Sequence, residues 1–340
     1  MQAVVTGASG HLGAALVRRL LEGGDRVRVM VHRQARALEG LDVEAMPGDV
    51  LNPASLRAAF GGAEVVYHLA GVVSIRGGLG GRVWAVNVDG AAHAARAARE
   101  SGVRRMVSCS TVHAFDLEAG KGPVDESAPR VRPDSPRHPV YDRSKAEGER
   151  RVRVEIEQGL DAVVVHPTGV IGPLDFEPSR MGQFLLRLHR GTLPALVRGG
   201  FDFVDVRDVA EAMVRAATQG GRGESYLLGG RFWPIAALAE MAAAVTGRRH
   251  RRPVLPLGVA RLGVPFLRLV AAAGGREPLY TAESLTVLRV GRVVDHSKAA
   301  RELGYSPRPT EESIADAYRW FAARGMLPGD TAAAVPGTGR

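Results

Sequence analysis

A doubly wound α/β fold, a parallel sheet covered by helices on both faces, is predicted for most of this 340-residue chain, with a smaller and mostly helical lobe attached. Three observations predict it. Short β-branched runs alternate with longer helical patterns through the first half, which is the rhythm of βαβ units. The first run breaks into a glycine-spaced turn that opens a helix. After about Gly172 the alternation weakens, and proline and glycine become frequent between 229 and 265. These shifts predict a sheet domain over 1–172 and a lobe over 173–330, with 200–228 expected to return to the main sheet. The last residues, 331–340, have too little apolar content to pack and are expected to form a disordered tail.

The first strand lies in MQAVVTGASGHLG, where Gly7, Gly10 and Gly13 are spaced three apart. Leu12, Leu16, Val17, Leu20 and Leu21 then recur at helical spacing. A strand, a tight turn and a helix N-terminus make an anion site, because free backbone N–H groups converge there with the positive helix end. The glycines allow the turn, the approach of a pyrophosphate and close helix-to-strand packing. Gly7, Ser9, Gly10, His11, Leu12 and Gly13 are therefore candidate cofactor contacts. The spacing is G-x-x-G-x-x-G rather than G-x-G-x-x-G.

The second strand, VRVMV (27–31), runs into HRQAR. An acid that binds the adenosine ribose is expected about 20 residues past the last glycine, yet Arg33 stands there with His32 and Arg36 nearby. A guanidinium holds a 2′-phosphate through paired hydrogen bonds, whereas a carboxylate repels it. NADP(H) is expected over NAD(H), with arginine-rich composition as the competing explanation. Further strands are read in VEAM, EVVYHLA (64–70), RRMVSCS (104–110) and DAVVVHP (161–167), and helices in PASLRAAF and VNVDGAAHAARAARESG. Beyond Gly172, a helix is read in SRMGQFLLRLHRG, a strand in FDFVDV (201–206) and a helix in DVAEAMVRAATQ.

YDRSK, Tyr141 to Lys145, opens another helical stretch, and a four-residue spacing puts the phenol and the ammonium on one face. There a lysine, joined by a cationic nicotinamide, is expected to lower the tyrosine's pKa towards the working pH. The 45 basic residues include only three lysines, Lys121, Lys145 and Lys298, so a lysine at this place is informative. The fifth strand ends in SCST, and ligands of open parallel sheets sit beyond the carboxyl ends of strands. Ser110 is thus a candidate to hydrogen-bond a substrate carbonyl or alcohol, with Thr111 as its possible stand-in; a strand-end cap is the bland alternative.

The formal charge is +9, but the arginines are scattered. The dense cluster RRHRR, Arg248 to Arg252, is read as a solvated loop, with a polyanion site as the alternative, and no nucleic-acid partner is expected. The stretch 254–274 is apolar but interrupted by Arg261, Arg268 and two prolines, which disfavours a spanning helix. It reads as an amphipathic helix against the protein, roofing a pocket, rather than one lying on lipid. The one cysteine, Cys109, excludes an intrachain disulfide framework and suits a reducing, cytoplasmic setting. No secretion signal is read before the first strand. His68, His113, His138 and His166 show no paired ligand spacing, so no metal is expected.

TGASGHLG, YDRSK and SCST together resemble the extended short-chain dehydrogenase/reductase family. GDV at 48–50, HLAG at 68–71, NVDG at 87–90, HPTGVIGP at 166–173 and FVDVRDVA at 203–210 add to the likeness. The resemblance implies a catalytic Tyr141, a Lys145 that also holds the nicotinamide ribose, and a substrate-orienting Ser110. It also implies adenine contacts at Asp49 and Val50, cofactor contacts at Leu69, Ala70 and Gly71, and Pro167 beside the nicotinamide. Dehydratases of the family carry an Asp-Glu pair after the strand-five hydroxyl, but here Thr111, Val112 and His113 follow. The chain is most similar to the dihydroflavonol reductase-like and 3β-hydroxysteroid dehydrogenase-like branch. That implies hydride transfer with a comparatively apolar carbonyl or alcohol, and possible dimerisation through helices near 90 and 145. The competing expectations are a nucleotide-sugar epimerase with retained NAD and a non-catalytic cofactor-binding regulator.

Overall fold

A computed structural model describes residues 1–32, 36–75, 77–249, 251–263 and 281–327. Arg33, residues 264–274 of the apolar stretch and the tail 331–340 lie outside them. The β-branched runs form consecutive parallel strands: β1 Gln2–Thr6, β2 Arg26–Val31, β3 Glu44–Pro47, β4 Val65–His68, β5 Arg105–Cys109 and β6 Ala162–Pro167. β7 Gly169–Ile171 and β9 Gly200–Asp205 leave this sheet, and β8 Leu196–Val197 lies between them in sequence. The chain returns as β10 Ser225–Leu228, parallel to β6, which gives the order β10-β6-β5-β4-β1-β2-β3. The doubly wound fold expected from the alternation is the fold observed. Its strand order reverses between β1 and β4, and ligands of such sheets sit outside the carboxyl ends at that reversal.

Helices cover both faces. On one, α1 His11–Glu22 and α7 Val206–Gln219 bury Leu16, Leu20 and Met213 against Val5 and Val29. On the other, α2 Pro53–Phe60, α4 Gly90–Glu100 and α5 Val140–Glu157 bury Phe60, Ala94 and Val152 against Val66 and Met106. Local chemistry sets several starts. Asn52 accepts the Ala54 N–H ahead of Pro53, and Asp205 accepts the Arg207 N–H. The long helix read over VNVDGAAHAARAARESG begins differently: α3 Arg82–Trp84 passes into a π-helical turn, Ala85–Asp89, before α4.

The lobe is not purely helical. α6 Arg180–Arg190, α8 Ile235–Thr246 and the helix Thr310–Ala323 pack Phe184, Leu188, Leu238 and Phe321 into its core. Beside them β9 pairs with β7 and, antiparallel, with β11 Arg231–Pro234. β12 Val254–Leu255 pairs with β8. Segment 200–228 is thereby divided. β10 joins the main sheet and α7 covers it, but the strand FDFVDV lies in the three-stranded sheet, which corrects the expectation that the whole segment returns.

Candidate functional site

The glycine turn after β1 is sterically demanding. Gly7 has φ +72, and a Cβ there would stand 2.7 Å from the Ala70 backbone nitrogen. A Cβ on Gly13 would stand 2.2 Å from the Gly7 carbonyl oxygen, whereas at Gly10 the nearest atom is 3.5 Å away. No side chain caps the first turn of α1, and Ser9 and Gly10 are exposed. Leu12 packs against the core. The His11 imidazole is turned aside: Nε2 lies 2.8 Å from the Pro173 carbonyl and Nδ1 4.0 Å from Asp175. What this loop offers an anion is therefore main-chain N–H and helix end.

Neighbouring strand ends bring up the other candidates. His32, beyond β2, is exposed with Nδ1 3.7 Å from Asp49 Oδ2. Asp49 Oδ1 accepts the Leu51 N–H at 2.9 Å, and Val50 is buried under Gly90. Thr6 Oγ1 accepts the Ala70 N–H and lies 2.8 Å from His68 Nδ1, which ties the ends of β1 and β4. Burial and the charge of Lys145 push His68 down to about 3, so the ring is neutral. Leu69, Ala70 and Gly71 follow β4, and a Cβ on Gly71 would lie 4.0 Å from Lys145 Nζ. Pro167 ends β6. Every described candidate thus sits at the carboxyl edge of the same sheet.

Ser110, Tyr141 and Lys145 converge at the end of β5. Lys145 Nζ donates to the Cys109 carbonyl at 2.8 Å, and the Tyr141 side chain is hydrogen-bonded to Thr111. Ser110 is 8% exposed, and its buried Oγ has no hydrogen-bond partner. A buried hydroxyl without a partner is costly, so it is a mark of a group kept for a ligand. Burial pushes the Tyr141 phenol well above its ordinary range, and the Thr111 hydrogen bond opposes this only in part. The lowering expected from Lys145 is not observed, since burial and Asp142 raise the phenol, and the lysine's own pKa is lowered by burial as well. The Cys109 thiol is pushed up to about 11 by burial, which makes it a poor nucleophile.

Two groups of residues at the site carried no assigned role in the sequence. Asn87, in the π-turn, accepts the Val72 N–H at 2.8 Å and donates to the Val72 carbonyl and to Ser144 Oγ, both at 3.0 Å. It locks the strand-four loop to α5 one residue before Lys145; NVDG was the available signal. His113 stacks on Phe201 at 5.4 Å, meets the Tyr141 ring edge-on at 6.1 Å, and has Nδ1 3.7 Å from Asp142 Oδ1. Burial pushes His113 down to about 4 and Asp142 up to about 7.

This geometry can be set beside known proteins. A sequence model of the NAD dependent epimerase/dehydratase family matches residues 3–229. The chain belongs to that family. It is 39% identical over 96% of its length to sterol demethylase protein B of Methylococcus capsulatus (strain ATCC 33009 / NCIMB 11132 / Bath), all of which is covered. It is 31% identical to a putative dihydroflavonol 4-reductase of Synechocystis sp. (strain ATCC 27184 / PCC 6803 / Kazusa), over 95% of each chain. The solved structure of gox2253 superposes with a TM-score of 0.83 at 32% identity, covering 96% of this chain and 99% of that one. As an extended short-chain dehydrogenase/reductase the chain is an NAD(P)-dependent oxidoreductase of the epimerase/dehydratase family. The tight glycine turn that admits no Cβ at Gly7 or Gly13, the uncapped helix end and the orphaned Ser110 hydroxyl fit a dinucleotide and a reacting oxygen.

Proposed function

We propose that the chain reversibly reduces a comparatively apolar ketone or aldehyde with NADP(H). One observation carries this reading: Tyr141 and Lys145 are anchored to Thr111 and Cys109 on either side of Ser110, whose buried hydroxyl is unpartnered. When bound, the nicotinamide supplies the hydride to the carbonyl carbon, or takes it from the alcohol. In the reducing direction Ser110 donates a hydrogen bond to the carbonyl oxygen, and Tyr141 delivers the proton that completes the hydroxyl. Lys145 holds the ribose side of the site and keeps positive charge near the phenolate left behind. The loop Gly7–Gly13 and the N–H groups of α1 would hold the pyrophosphate, Asp49 and Val50 would contact the adenine, and Leu69–Gly71 and Pro167 would line the remainder.

NADP(H) is favoured because His32 and Arg36, rather than a carboxylate, follow β2. Comparison of dissociation constants tests it, and tighter NADH binding would end the preference. An apolar substrate is supported by the relatives' names, which refer to a sterol and a dihydroflavonol, and by the His113–Phe201 plate beside Tyr141. The single cysteine accords with a cytoplasmic setting; among the described residues no helix is long and apolar enough to cross a membrane. Replacing Tyr141 by Phe should lower turnover of a responsive ketone about 10²–10⁴-fold with cofactor binding retained. Near-normal turnover in that variant would remove Tyr141 from the reaction. Cofactor that co-purifies and cycles without net change in nicotinamide absorbance would favour the epimerase instead.

A further inference from the structure

Among the described residues, Arg248, Arg249, Arg251 and the first part of the apolar stretch, 254–262, take no part in the dinucleotide site and lie on one corner of the lobe. From Glu240 to Glu277 the sequence holds no carboxylate between those two, while Arg248, Arg249, Arg251, Arg252 and Arg261 fall within it. Arg252 is spent on structure, donating to the Leu188 and Leu193 carbonyls. Arg248, Arg249, Arg251 and Arg261 are exposed, and none of them makes an ion pair among the described residues. A hollow of about 430 Å³ lies beneath Arg248, Arg249 and Arg251, with Leu196, Ala243 and Val254 in its apolar lining and Glu240 as its single carboxylate.

The next residues turn apolar side chains outward. Val254 is 44% exposed, Val259 51% and Leu262 83%. Helix 257–263 is anchored from its other side, where Leu257 and Ala260 pack on Val197 and Leu285. A three-residue spacing puts Val259 and Leu262 on the same outward face. Basic side chains beside protruding aliphatic ones are what an anionic bilayer selects: the guanidiniums meet phosphate groups while the aliphatics enter the acyl boundary. A water-soluble polyanion would reward the arginines but leave Val259 and Leu262 in water.

We propose that this corner of the lobe, carried by Arg248, Arg249, Arg251, Val259 and Leu262, docks the protein on an anionic phospholipid surface. β12 of the corner pairs with β8, and β9 begins three residues after β8 with Phe201 near its start, the residue that stacks on His113 beside Tyr141. The docked face is thus joined through one short segment to the proposed substrate side. Only the corollary, that an apolar substrate is taken from the bilayer, rests on the proposed reductase function.

Flotation of the full-length protein with vesicles tests the docking. Phosphatidylcholine vesicles containing roughly a third phosphatidylglycerol should bind it, and pure phosphatidylcholine should not. The triple variant Arg248→Glu, Arg249→Glu, Arg251→Glu should weaken binding about a hundredfold. A control with the same charge change elsewhere, Arg26→Glu, Arg104→Glu, Arg301→Glu, should bind nearly as wild type does. Val259→Ser with Leu262→Ser should bind at low ionic strength and release at physiological salt, where screening removes the arginines' reach. Equal losses in the control triple, indifference to phosphatidylglycerol, or tighter binding to single-stranded RNA than to vesicles would overturn the proposal. Turnover of a soluble ketone is read separately and should be unchanged in the arginine triple, so a failed reductase assay leaves the vesicle result standing.

Discussion

Ser110 and Thr111 are adjacent in sequence but differently employed: one hydroxyl is buried and unpartnered, the other is bonded to Tyr141. Ser110→Ala should therefore cost about 10²–10³-fold in kcat, the size expected for losing a donor to a developing alkoxide. Thr111→Val removes a contact that lowers the phenol's pKa, so the rising limb of alcohol oxidation against pH should move to higher pH. If instead Thr111→Val gave the larger loss of rate and no shift of the limb, Thr111 would be the group that orients the carbonyl. Asp142 offers a stability test. Its carboxyl is raised to about 7, chiefly by burial, with His138 opposing and Glu283 adding a smaller push upward. A raised folded-state pKa means that the stabilising effect is full below about pH 4 and is lost as pH rises towards 7. His113, lowered to about 4 by burial, has the opposite slope, losing stability as pH falls from about 6.5 to 4. Asp142→Asn removes the carboxyl's slope. The variant's stability relative to wild type, measured by urea unfolding, should grow from pH 4 to 7; a constant difference would show that this carboxyl does not titrate in the fold.

Two helix contacts show what a sequence exposes and what it hides. The glycine loop was legible from its spacing, and Gly13 answers to atoms of its own turn, but the demand on Gly7 comes from Leu69 and Ala70 at the end of β4 and was not readable in the sequence. Gly13→Ala should lower Tm, since its Cβ meets the Gly7 carbonyl, whereas Gly10→Ala should keep Tm and weaken cofactor binding alone. Equal Tm losses in both would mean that Gly10 serves the fold. The YDRSK helix was legible from its spacing as well. The π-turn Ala85–Asp89 was not, because its residues keep helical spacing and only the hydrogen-bond register differs. Its consequence is tertiary: a Cβ on Gly148 would lie 2.1 Å from the Asn87 carbonyl, so the turn lets α5 approach closely. Asn87's partners Val72 and Ser144, and the His113–Phe201 stack, join segments far apart in sequence. FDFVDV reads as a strand from its alternation, but alternation does not say which sheet it joins.

At the scale of the molecule, a buried charge cluster fastens α5 to the far edge of the sheet. Glu149 accepts from His166 Nε2 at 2.8 Å, Arg153 at 2.9 Å and Arg130 at 3.1 Å, and both arginines also reach Ser225 Oγ on β10. Burial alone would raise this carboxyl, but His166, Arg130 and Arg153 hold it well below the usual range, while burial lowers the pKa of His166 against the pull of Glu149. Glu149→Gln should destabilise the fold by about 3–5 kcal/mol, because it leaves desolvated guanidinium groups unmatched. A depressed folded-state pKa means that Glu149's contribution is present above about pH 4.5 and is lost on acidification, so the variant's stability gap, followed by urea denaturation, should narrow as pH falls. A gap that stays constant with pH would place the effect in packing.

β10 closes the seven-stranded sheet, yet it is encoded after β7, β8 and β9 of the lobe. A ribosome therefore releases β6 with one flank bare, and that flank stays bare until some sixty further residues, 168 to 228, have emerged. Val163, Val164 and Val165, fully buried in the finished molecule, make such an edge adhesive towards other nascent chains. A gene cut after codon 172 should accordingly yield insoluble protein, and appending the 206–228 hairpin of helix and strand by a flexible linker should restore solubility.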